Sequence, residues 1–160
     1  MSEIADFLRA RYKQEAHVAR LITETTGSEH WKADWRQLSY NHFDARVIAG
    51  PDNPVLDGYG SVGTAEFVSG YSPARVLADL DAKLALVDDL LAERHYVNDG
   101  DCWYTCAAAA EESDGGETCD DNRRGGRCDC GRDARVNRRL AILAQPFAGH
   151  PDHKGEEWAP

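Results

Sequence analysis

At 160 residues and 17.7 kDa the chain has material for one hydrophobic core and little for a second, so a single domain spanning residues 1–160 is expected. Hydrophobic residues at 42 % and charged residues at 29 % exclude a wholly disordered, collagenous or fibrous chain. With 28 acids against 18 bases the net charge is -10, which disfavours general attraction to nucleic-acid phosphates or anionic lipid surfaces.

In chain order, Ser2 can cap a first helical turn in which Glu3 and Asp6 sit at the positive end of the helix. Ile4, Leu8, Tyr12, Ala16, Ala19 and Ile22, with Phe7 beside them, recur every three or four residues and predict a helix over Glu3 to Ile22. From Trp31 to Ser69 the period shortens. Runs such as Trp35 to Tyr40, Ala45 to Ala49 and Ala65 to Val68, separated by Gly and Pro clusters, predict a small antiparallel β-meander. Ser72-Pro73 is a strong helix start, because the hydroxyl can cap while proline gives up an amide that would lack a partner anyway. The stripe Val76, Leu77, Leu80, Leu84, Val87 and Leu91 carries that helix to about His95. A Cys-rich insertion over 98–131 follows, then a last helix capped by Asp133 over Ala134 to Ala144, stopped by Gln145-Pro146. Trp158 can pin the tail to the body. The expected fold class is α+β, three helices packed on the meander, with the Cys-rich knot before the last helix.

The opening Met1 to Asp6 carries acids where a secretory signal carries Lys or Arg, and no apolar run follows it. The longest mainly apolar region, Val76 to Leu91, is broken by Asp79, Asp81, Lys83, Asp88 and Asp89, so no membrane span is expected. A cytoplasmic location is expected.

Five cysteines without an export signal suit reduced thiols, and the odd number leaves one over under any intramolecular disulfide scheme. Their spacing, Cys102-x3-Cys106 and Cys128-x-Cys130 with Cys119 between, resembles two knuckles. Four thiolates around zinc would make a closed tetrahedral structural site. The preferred ligands are Cys102, Cys106, Cys128 and Cys130, with Cys119 as alternate ligand or free thiol. Reduced cysteines in a loop, some packed as small hydrophobes, are the competing reading.

Two further clusters could carry chemistry. His150, Asp152 and His153 could hold a second metal with an open position for water, although Pro151 opposes helical presentation and a surface tail with local hydrogen bonds competes. Residues 123–139 hold Arg123, Arg124, Arg127, Arg132, Arg135, Arg138 and Arg139 against only Asp129 and Asp133. Such a strip could grip phosphates or a partner, or pair with the acidic face of the preceding helix. No aromatic side chains interleave with it as a single-strand platform requires. There is no phosphate loop or nucleophile elbow, and Gly58-x-Gly60-x-x-Gly63 leads into a stretch that reads as a strand, so no dinucleotide fold is indicated.

Asp6-Phe7-Leu8-Arg9-Ala10-Arg11, Pro73-Ala74-Arg75-Val76-Leu77, and Leu143-Ala144-Gln145-Pro146-Phe147-Ala148-Gly149-His150-Pro151-Asp152 with Glu157-Trp158 together resemble an uncharacterised family of small actinobacterial and actinophage proteins. Members of that family close on Leu-Ala-Leu-Pro-Tyr-Ala-Asp-His-Pro-Asp. The family commonly has His-Ile-Ala-x-His-Asp where this chain has Phe67 to Ser72, so any role of those two histidines does not carry over. The resemblance implies a bacterial or phage cytoplasm and no activity. The function expected is a small acidic binding or adaptor protein with a protein partner, possessing structural zinc and no catalytic residues. Its rivals are a nucleic-acid-interacting protein using the arginine strip, a metal-dependent hydrolase using the C-terminal histidines, and an acidic mimic of nucleic acid.

Overall fold

The structure is a computed structural model, and it describes residues 2–25, 35–41, 44–49, 53–60, 62–98, 104–111 and 123–160. The elements are α1 (Glu3–Thr25), β1 (Trp35–Asn41), β2 (Asp44–Ala49), β3 (Asn53–Gly60), α2 (Val62–Ser69), α3 (Pro73–Ala92) and α4 (Arg132–Ala144). Short 3-10 turns cover Ala107–Glu111, Gln145–Phe147 and Gly155–Trp158. By contact the chain divides into two compact units, Ala10–Ala85 and the pair of segments Met1–Arg9 and Leu86–Pro160. No helix among the described residues is long and apolar enough to cross a membrane.

In the unit Ala10–Ala85, β1, β2 and β3 pair antiparallel in chain order, and the helix set against them is the short α2. This overturns the expected fold class. The described residues are mostly helical, the α-helices number four rather than three, and the helix that packs on the strands lies where the sequence suggests another strand. The reason is local. A strand would put Ala65 and Phe67 on one face, but Ala65 is fully buried and Val68, three residues on, packs with it against Val47, Trp35 and Val55 while Phe67 is exposed. That is helical spacing, and in a run this short it cannot be told from alternation by periodicity alone.

Gly70 closes α2, its amide shared between the carbonyls of Glu66 and Phe67, each 3.1 Å away. Ser72 then starts α3, its hydroxyl 3.4 Å from the Arg75 amide, with Pro73 at the first helical position. Tyr12, buried on α1, has a Lys83 ammonium 5.9 Å from its ring centroid. Burial raises the pKa of its phenol, with Glu15 and Asp79 adding to the effect.

In the other unit, Ile4, Ala5, Phe7 and Leu8 of α1, Val87 and Leu90 of α3, and Val136, Leu140, Ala141 and Ala144 of α4 are buried. The tail is tied down by rings. Trp158 is 4 % exposed, and Phe7 lies 5.1 Å from it, 6.0 Å from Phe147, 5.7 Å from His150 and 5.9 Å from His153. Such tilted and edge-on pairs suit the ring quadrupoles. α3 ends at Ala92, short of the expected His95, and α4 begins at Arg132 on Gly131 rather than on an Asp133 cap. Both differences bear on the candidate metal centre.

Candidate metal centre

Because α3 stops at Ala92, His95 lies beyond its last turn, outside any helix or strand, with its side chain 6 % exposed. The segment after His95 is tied to the one before Cys106. The Cys106 amide donates to the Tyr96 carbonyl at 2.9 Å, and the Asn98 amide donates to Thr105 Oγ1 at 3.1 Å. Thr105 is 1 % exposed, so loss of its bond to Asn98 would leave a buried hydroxyl unpaired.

The second knuckle, Cys128-Asp129-Cys130-Gly131, is held against the first by Asp129. Its carboxylate accepts the Ala107 amide at 3.2 Å and pairs with Arg123. The Arg123 hydrogen bond, then the Cys106 thiol and the Ala107 amide, hold the Asp129 carboxyl below its ordinary pKa. Gly125, at φ 70, donates to the Ala107 carbonyl at 3.1 Å. Gly131 follows Cys130 at φ 77, where a side chain is strained, and turns the chain directly into α4.

Three arginines fix where α4 starts. Arg132 donates to the carbonyls of Leu91 and Glu93, both at 2.7 Å, satisfying oxygens left open at the end of α3. Arg135 donates to the Cys130 carbonyl at 3.1 Å and pairs with Glu93 at 2.8 Å, and Arg139 reaches the same carboxylate at 3.3 Å. Those arginines, the Arg135 hydrogen bond first, hold the Glu93 carboxyl below its usual range.

The result is convergence. One ligand atom each from His95, Cys106, Cys128 and Cys130 all lie within 4.8 Å of one another. His95 Nδ1 is 3.6 Å from Cys106 Sγ and 3.8 Å from Cys130 Sγ, and Cys128 Sγ is 3.7 Å from Cys130 Sγ. Bonds of about 2.3 Å to sulfur and about 2.0–2.1 Å to nitrogen give a tetrahedron with edges of about 3.8 Å between sulfurs and about 3.6 Å between sulfur and nitrogen. Three of the six separations fit those edges and the other three are no longer than 4.8 Å, so the four residues could hold one tetrahedral ion. A two-iron cluster would instead draw the ligands into two separated pairs. His95 Nε2 faces Asp133 Oδ1 at 3.7 Å, and Arg132 holds that carboxylate at 3.0 Å. A carboxylate behind a ligating imidazole orients the ring and favours the tautomer with Nδ1 free to bind.

Three of the four preferred cysteine ligands thus come together, while Cys102 and Cys119 lie outside the described residues. His95 is the candidate ligand that sequence reasoning missed, because it looks like the last turn of α3. Histidine as an equal ligand candidate beside cysteine is the signal that finds it.

Among the arginines of the strip, Arg123, Arg132, Arg135 and Arg139 are engaged within the protein, and Arg124, Arg127 and Arg138 are exposed. His150 and His153 each accept a backbone amide at Nδ1, from Asp152 at 3.1 Å and Gly155 at 3.0 Å. Neither belongs to a converging group among the described residues.

No curated protein and no solved structure matches the chain. A family does: the match covers residues 1–160, and the chain belongs to the family of unknown function DUF6221.

Proposed function

We propose that the protein is a small acidic binding or adaptor protein of a reducing cytoplasm, its Leu86–Pro160 region held together by one structural zinc ion on His95, Cys106, Cys128 and Cys130. The convergence of those four ligand atoms within 4.8 Å carries this reading. Zinc suits a closed set of three thiolates and one imidazole, and with four protein ligands no coordination position is left for a reacting water. The chain's own residues would act by holding two segments distant in sequence against the ion. His95 and Cys106 supply one side and the Cys128-x-Cys130 knuckle the other. The Arg135 guanidinium, bonded to the Cys130 carbonyl, lies where it offsets the excess negative charge of three thiolates.

Metal analysis of protein purified under reducing conditions tests this, together with a thiol titration before and after chelation. One zinc per chain is expected, with three thiols becoming reactive only once the ion is removed. Cobalt substitution should give the ligand-field spectrum of a tetrahedral sulfur-rich site. Protein free of metal that also fails to take up cobalt would end the proposal.

A further inference from the structure

Separate from the metal centre, α3 and α4 leave between them an apolar groove of about 210 Å³ that is uncovered among the described residues, lined by Leu86, Leu90, Leu143, Ile142 and the stem of Arg139. Leu86 is 44 % exposed and Ile142 51 % exposed, so water meets a branched side chain on each wall. The two outer rims carry opposite charge. On α3, Asp89 lies three residues after Leu86, on the side away from buried Val87 and Leu90. On α4, Arg138 lies four residues before Ile142, on the side away from buried Leu140. Both are exposed, and neither takes part in an ion pair among the described residues. By contrast Asp88 is paired with Arg9 at 2.6 Å, and Glu93 with Arg135 and Arg139.

A groove with one acidic and one basic rim is complementary to itself. We infer that this face binds a second copy of the chain, in a two-fold dimer whose axis runs along the groove. Rotation about that axis sets α3 of each copy against α4 of the other, so Leu86 meets the partner's Ile142 and Asp89 meets the partner's Arg138. The pair occurs twice. The other two-fold arrangement, with its axis across the groove, would set α3 on α3 and Asp89 on Asp89, and is disfavoured by like charge. An isologous interface of this kind closes at two copies and does not propagate into a fibre. The groove is small against the area of a permanent dimer, so the association is reversible and concentration-dependent.

Sedimentation equilibrium on the full chain as purified, under reducing conditions, tests this. The parent should show a monomer–dimer equilibrium, and Ile142→Asp should weaken it at least tenfold. Asp89→Arg and Arg138→Asp, each alone, should do the same by placing like charges opposite one another. Mixed in equal amounts, these two variants should form a heterodimer, because each then meets its complement at both pairs. The exchanges are at exposed rims, so far-UV circular dichroism of each variant should match the parent. If Ile142→Asp does not fold, the charge exchange decides by itself. A parent that stays monomeric at the highest attainable concentration, or a mixture that associates no better than its components, would overturn the inference.

Discussion

Two segments of the Leu86–Pro160 region carry the residue types that bind metals, and the fold treats them in opposite ways. In the C-terminal tail, His150, Asp152 and His153 are neighbours in sequence, yet each ring turns Nδ1 onto a backbone amide two residues ahead and packs a face or edge on Phe7. Around the knuckles, His95, Cys106, Cys128 and Cys130 span 35 residues, yet their ligand atoms converge. Closeness in sequence favours local hydrogen bonds, which use up the lone pairs a metal needs. Separation leaves those lone pairs for a partner, provided that something else brings the segments together. Here the Cys106–Tyr96 and Asp129–Ala107 bonds and the Arg132 clasp do so.

The sharpest way to break the comparison is to remove one ligand from each segment. Cys106→Ser should reduce bound zinc to less than a tenth of the parent stoichiometry. It should also remove the cooperative thermal transition of the Leu86–Pro160 region, because structural zinc contributes on the order of 10 kcal/mol to the folding of small sites. His150→Ala with His153→Ala should leave zinc at one per chain. Metal analysis and calorimetry on both variants check this, and equal zinc loss in the two would erase the distinction between the segments.

The tail's rings should instead hold it by packing. Trp158→Ala removes a ring that is 4 % exposed and 5.1 Å from Phe7, a truncation that costs about 3–5 kcal/mol at buried sites. The melting temperature should fall by many degrees while zinc content stays at one per chain. Smaller still, Asp133→Ala should weaken zinc binding about ten- to a hundredfold in competition against a chromophoric chelator. Asp133→Asn, which keeps an oxygen facing His95 Nε2, should recover most of that loss. If both variants bind as tightly as the parent, the imidazole is oriented by packing alone.

The same contrast explains what could be read in advance. The long helices were legible because Leu8, Tyr12 and Ala16 on α1, and Leu80 and Val87 on α3, repeat at helical spacing and are buried. Cys106, Cys128 and Cys130 were legible as candidate ligands from their paired spacing, and their sulfurs do lie in one cluster with His95. Cooperative effects at element ends were not. His95 is released from α3 by the helix stopping at Ala92, where Arg132, 41 residues away from Leu91, takes the open carbonyls. No local pattern around His95 reports a clasp that distant. Helix α2 was hidden for another reason: Ala65, Phe67 and Val68 are all apolar, and the sequence does not say whether Phe67 (strand spacing) or Val68 (helical spacing) joins Ala65 in the core until Val47 and Trp35 are in place. The arginine strip shows a third limit, since a run of charge says nothing of its partners. Glu93 alone takes two of those arginines.

The smallest effect is expected at the long-range ion pair of the tail, between Lys154 and Glu3. Lys154 meets Glu3 at 2.5 Å, and its pKa is raised first by that hydrogen bond, with Glu157 contributing. A raised lysine pKa means that the folded state binds the proton more tightly than the unfolded one. The pair's contribution is therefore fully present below the ordinary lysine value of 10.5 and is lost as pH rises through the raised value. Both side chains are largely exposed, at 39 % and 69 %, so water and salt screen most of the attraction. Lys154→Met should accordingly lower the melting temperature at neutral pH by less than Trp158→Ala does. The difference from the parent should shrink in molar salt and vanish in strong alkali. A loss as large as that at Trp158 that shrinks in salt would mean that charge rather than ring packing anchors the tail, whereas a loss that persists in salt would mean that the lysine stem acts by packing.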